Sequence, residues 1–172
     1  MSFTKILEYI LFIALILLTL FNFYSLTVGR KKKKRGETDF RKILANLENK
    51  TFEEMKKNHL DFGEKHGYIN DSGQGIFLAF DQKKKMLGIT ILEEFYLIPY
   101  DEVLSCEVKN DTLPKDKITN IRVELETKDS QISFAFGKKV WKEKSHLGTF
   151  LLSDAKEFCA FVTSHCIPGQ KG

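Results

Sequence analysis

Residues 9–28, YILFIALILLTLFNFYSLTV, form the most constraining stretch of the chain: twenty positions without a charge. As a helix this run is about 30 Å long, the thickness of a bilayer's hydrocarbon core. Thirteen of the twenty residues are Leu, Ile, Phe or Val. At roughly −0.3 to −0.6 kcal/mol each, they supply about −4 to −8 kcal/mol towards insertion. A cleaved signal peptide has a shorter apolar core ending in small residues, whereas this run ends in Val-Gly-Arg-Lys. The run predicts an uncleaved transmembrane helix bounded by Tyr9 and Val28. A polybasic stop follows it, made of Arg30, Lys31, Lys32, Lys33, Lys34 and Arg35, while only Lys5 precedes it. The positive-inside rule then predicts a single-pass protein of the inner (cytoplasmic) membrane, N-terminus outside and the rest of the chain in the cytoplasm. The stop would face the anionic headgroups of the bilayer.

The formal charge of +4 misleads unless it is divided. Once residues 1–35 are set aside, 20 basic and 22 acidic residues remain, so the body of the chain is mildly acidic. Only four of the 27 basic residues are Arg. Arg dominates bidentate recognition of phosphates and bases, so both facts argue against nucleic acid as a partner. The low Arg content also fits an AT-rich bacterial genome. Cys106, Cys159 and Cys166 make an odd count without a C-x-x-C pair. That pattern predicts reduced thiols and neither a disulfide framework nor a structural metal site.

Beyond the stop, the chain divides into a helical linker over residues 36–66 and a β-rich domain over 67–172. In the linker, Phe40, Ile43, Leu44 and Leu47 recur at helical spacing, Asn49-Lys50 interrupts, and Thr51 with Glu54 has the form of a capping box that starts a second helix. Short strands come next: GIFLAF from Gly75 to Phe80, a DQKKK turn, Met86 to Leu92, and Phe95 to Ile98. Alternating strands then follow around Leu104, Cys106 and Val108, around Ile121, Val123 and Leu125, and around Ile132, Phe134 and Phe136. A Lys-rich connection holds Trp141. Asp154, with Glu157 three residues on, predicts the start of an amphipathic helix that runs to Cys166, before Pro168-Gly169. The fold class is therefore α+β: the transmembrane helix, the short helical linker, and a small antiparallel β-sandwich or open barrel closed by a C-terminal helix over about 154–166.

Three segments of the body, GIFLAFDQKKKMLGI, YLIPYDEVLSCEV and DAKEFCAFVTSHC, resemble the opening hairpin, the Ile-Pro-Tyr strand entry and the closing helix of bacterial pleckstrin-homology-like domains that carry an N-terminal membrane anchor. The resemblance covers roughly residues 67–166. It implies a module that binds or scaffolds and does not catalyse. Family members that bind inositol lipids use basic residues around the first hairpin, ending in an Arg. Here Lys83, Lys84 and Lys85 occupy the turn and no Arg follows.

No phosphate loop or nucleophile elbow is present in the sequence. Asp71-Ser72-Gly73-Gln74-Gly75 precedes a strand, whereas a phosphate cradle needs a following helix N-terminus. Neighbouring carboxylates such as Glu93-Glu94 and Asp101-Glu102 point to opposite faces of a strand. His59, His66 and His146 stand isolated. The expectation is a non-enzymatic chain without catalytic residues, cofactor or metal. Its role would be to hold a protein partner at the membrane through the PH-like domain. The alternative is a lipid-binding or membrane-stress-sensing module, in which Lys83, Lys84, Lys85, Lys138 and Lys139 contact anionic lipid headgroups.

Overall fold

The computed structural model describes residues 3–61, 63–92 and 94–167, and within its first helix it leaves out the side chains of 3–4, 6–9, 23 and 25–38. Val28, Tyr9, the whole polybasic stop from Arg30 to Arg35, Glu93, Pro168 and Gly169 therefore fall outside the described side chains. The chain separates into two compact units, Met1–Arg41 and Lys42–Gly172.

A single helix, α1 (Phe3–Lys57), provides all the described secondary structure of the first unit and enters the second. It corrects the expected transmembrane helix: among the described residues, no helix is long and apolar enough to cross a membrane. Ile10–Asn22 is the apolar part of α1 whose side chains are described. Its apolar side chains are exposed, Ile10 at 60% and Phe21 at 70%. The same finding overturns the single-pass, N-out arrangement in an inner membrane that rested on the span.

The second unit is built on two antiparallel sheets. The first contains β1 (Glu64–Ile69), β2 (Gly75–Asp81), β3 (Met86–Ile91) and β4 (Glu94–Pro99), in that order across the sheet. A 3₁₀ turn, Tyr100–Glu102, leads into the second sheet. That sheet has the order β5 (Val103–Leu113), β6 (Lys117–Thr127), β7 (Gln131–Gly137), with the short β8 (Trp141–Lys142) also paired to β6. The chain closes with α2 (His146–Cys166).

The two sheets differ in what covers them. The inner face of the first sheet presents Tyr68, Ile76, Leu78, Phe80, Leu87, Ile89 and Ile98. These pack against Ile121, Val123, Leu125, Phe134 and Phe136 of the second sheet and against Leu151, Phe158 and Val162 of α2. Its outer face is covered by the last turns of α1. A Cβ added at Gly75 would stand 2.4 Å from Leu47, one at Gly88 2.9 Å from Met55, and one at Gly67 3.1 Å from Leu44. Those glycines form a lane that lets the helix approach closely. Sandwiched in this way, every residue of β2 is buried, which is why GIFLAF reads as a continuous apolar run and does not alternate. The second sheet keeps one face in water, and β6 alternates accordingly. Ile121, Val123 and Leu125 are buried, while on the other face Glu124 pairs with Lys109 at 2.6 Å and with Arg122 at 2.9 Å.

Three local expectations change. Asn49-Lys50 does not break α1, which continues to Lys57. Thr51 is no cap: it is fully buried inside the helix, and its hydroxyl donates to the Leu47 carbonyl at 2.7 Å and sits 2.5 Å from the Thr90 hydroxyl on β3. The closing helix begins two turns before Asp154, capped by Ser145, whose Oγ accepts from the Gly148 N–H at 3.2 Å.

Candidate functional site

Lys83, Lys84 and Lys85 lie in the turn between β2 and β3. The turn is organised by Asp81, only 1% exposed, whose carboxylate accepts from the N–H groups of Lys83 (3.0 Å), Lys84 (2.9 Å) and Asp61 (2.7 Å). Burial pushes the Asp81 carboxyl up, but these three donors outweigh it and hold it below its ordinary value. Two of the lysine ammonium groups are engaged locally. Lys83 pairs with Asp61 at 2.7 Å, and Lys84 donates to the His59 carbonyl.

Lys138 and Lys139 follow β7 and are held by a second carboxylate of the same kind. Asp71, in the turn between β1 and β2, accepts from the N–H groups of Lys138 (3.1 Å) and Lys139 (2.8 Å) and from the Trp141 indole (3.2 Å). Against the opposing effect of burial, these bonds hold the Asp71 carboxyl below its ordinary value. The Lys139 ammonium donates to the Asp71 carbonyl at 3.1 Å. The two lysine groups are not brought together. β2 runs from Gly75, beside the Asp71 turn, to Asp81, beside the Lys83 turn, so the groups flank opposite ends of a strand about 20 Å long.

The Asp71 end of the first sheet also carries the turn between β3 and β4, because alternate turns of an antiparallel meander share an end. Leu92 forms that turn. It is 55% exposed and has a φ of 52°, a left-handed conformation that costs a branched side chain about 1–2 kcal/mol. Open grooves flank it on both sides. One, of about 270 Å³, is lined by Ile43, Leu47, Gly73, Gly75 and Leu92 with the polar Asn46 and Gln74; the other, of about 340 Å³, by Ile91, Leu92, Glu94, Tyr96, Ser133 and Phe134. In the second groove Tyr96 of β4 meets Phe134 of β7 edge-on, with ring centroids 6.0 Å apart. Both strands are outermost in their sheets at this point. Sequence reading passed over Leu92 as the last residue of a strand. The available signal was a Leu where a two-residue hairpin turn favours Asn or Gly.

Two histidines that stand apart in sequence converge on Glu64. The Nε2 atoms of His66 on β1 and His165 on α2 each lie 3.0 Å from a different oxygen of its carboxylate. His66 stacks on Phe161 at 3.5 Å and His165 on Phe80 at 4.4 Å. The His66 bond holds the Glu64 carboxyl below its ordinary value against the cost of burial, helped by His165. The cluster ties the first strand to the end of the closing helix. Among the described residues, no group of three or more His, Cys, Asp or Glu side chains is arranged to hold a metal ion. No family model, curated protein or solved structure matches the chain.

Proposed function

We propose that the second unit is a PH-like binding module that engages a protein partner at the sheet end bearing Leu92. The element order supports the PH-like reading: a four-stranded meander, a second antiparallel sheet and a helix packed across the core. The observation that carries the binding reading is Leu92 itself. A branched apolar residue pays backbone strain and exposure together at a turn where Asn or Gly would pay neither, and a largely apolar groove lies on each side of it. Such a residue serves as an anchor that recovers its cost when a partner covers it. The outer edge of β4, which pairs with β3 alone among the described strands, lies beside the larger groove and offers main-chain hydrogen bonds to an extended segment. An anionic surface that engaged both lysine groups would have to reach both ends of β2, and Lys83 and Lys84 already have local partners.

The test uses the full chain in its native cells, with a photo-cross-linking residue at exposed Ser133 on the groove rim. A discrete adduct is expected from Ser133, and none from the same probe at Lys83 on the opposite end. Leu92→Asn should abolish the adduct while stabilising the fold by about 0.5–1 kcal/mol in urea unfolding. An adduct that survives Leu92→Asn sinks the proposal.

A further inference from the structure

Two thiols distant in sequence meet where α2 crosses the second sheet. Cys106 on β5 is half-buried and Cys159 on α2 is buried, and their Sγ atoms lie 2.9 Å apart with both thiols free. A disulfide bond is about 2.05 Å long, so closing one asks for a shift of under ~1 Å. Cys166 is the third thiol, also buried and free. It sits seven residues beyond Cys159 on the same helix, about 10 Å along the axis, too far to bond to it without unwinding.

We infer that Cys106 and Cys159 form a site of reversible oxidation whose co-substrate is a low-molecular-weight disulfide. Cys106, the more exposed of the pair, loses its proton and attacks one sulfur of the small disulfide. The S–S bond of that molecule breaks, and a small thiolate leaves with the electron pair and takes up a proton. The thiolate of Cys159 then attacks the Cys106 sulfur in the mixed disulfide and expels the second small thiol. Two protein thiols are oxidised to one disulfide, and one small disulfide is reduced to two thiols. The hydrogen-bonded contact with Cys159, together with burial, holds the Cys106 thiol well above its usual range, so exchange is slow at neutral pH and quickens as pH rises. Burial pushes the Cys166 thiol up to about 12, and its place about 10 Å along α2 from Cys159 keeps it out of the exchange. The bond would join positions 53 residues apart and staple the outer strand of the second sheet to the closing helix.

The test incubates the full chain with oxidised glutathione near pH 8, followed by alkylation and peptide mapping. The expected product is a Cys106–Cys159 cross-linked peptide, alkylated Cys166 and the loss of two hydrogens, about 2 Da. Because a cross-link closing a long loop restricts the unfolded chain, Tm should rise by roughly 5–15 °C and fall back with dithiothreitol. Cys106→Ser and Cys159→Ala should each abolish the rise, while Cys166→Ser keeps it. A glutathione adduct that accumulates on Cys106 without resolving overturns the inference, as does a cross-link between Cys159 and Cys166. Mapping of the unsubstituted chain decides the matter even where a variant fails to fold.

Discussion

Gly148 shows how one residue can hide an element. It lies in the first turn of α2, and a Cβ there would stand 2.4 Å from the Lys142 carbonyl oxygen and 3.1 Å from that of Glu143. Backbone atoms cannot swing aside as a side chain can, so Gly148→Ala should destabilise the second unit by about 1–3 kcal/mol, read from the urea midpoint. In a sequence, a Gly after a Lys-rich stretch signals a loop, and the expected start of the helix moved to Asp154. The helical spacing of Leu151, Ala155, Phe158 and Val162 shows that the true start was partly legible. The Ser145 cap was not, because it depends on a close approach by residues 142–143. Thr51 misled in the opposite sense. Its spacing to Glu54 has the form of a helix cap, yet its hydroxyl is bound to Thr90 on a strand 39 residues away.

At the scale of elements, the last turns of α1 carry the larger lesson. A linker between units would tolerate truncation of its side chains, whereas residues 42–57 belong to the same compact unit as the sheets. Met55 is completely buried against the first sheet and Lys56 beside it is exposed. Met55→Ala should therefore cost about 2–5 kcal/mol, and Lys56→Ala close to nothing, in equilibrium unfolding. The helical spacing of Ile43, Leu44 and Leu47 was visible in the sequence, but its target was not. The glycines that receive the helix, Gly67, Gly75 and Gly88, fall on three different strands and become a lane only once the strands pair. The easiest elements to read were β6 from Ile121 onward and β7 up to Phe136, where buried and more exposed residues alternate, whereas the residue types of β1 carried no such signal. The length of β5 was harder, because its second half is exposed on both faces and carries no alternation.

For the whole molecule, the response to pH follows from opposed groups of carboxyls. Asp71 and Asp81, with an ordinary value of 3.8, and Glu64, with 4.5, are all held lower in the folded chain. Their contribution is fully present above those ordinary values and is lost as pH falls through the lower folded ones. Asp154 has the opposite sign. Burial, with the Glu157 carboxylate adding to it, raises its carboxyl from 3.8 to about 6. Its contribution is fully present below 3.8 and is lost as pH rises through about 6. Stability should climb to about pH 4.5 and then decline modestly towards pH 6. Asp154→Asn should remove that decline, raising the urea midpoint at neutral pH and leaving it unchanged near pH 3. Equal shifts at both pH values would contradict the assignment. The candidate binding site is the least legible feature at this scale, because Leu92 becomes informative only through its backbone angle and the grooves that tertiary packing sets beside it.

Asp71 and Asp81 also bear on how the first sheet finds its alignment. β2 is buried on both faces, so its side chains carry little information about which neighbour each residue should oppose. Sliding the strand by two positions would keep every side chain on its own face and still offer apolar contacts. The same slide, about 6–7 Å, would pull Asp81 away from the Asp61 N–H and Asp71 away from those of Lys138 and Lys139. The pair therefore acts as two registration marks, and a strand with no polar face is aligned from outside its own length.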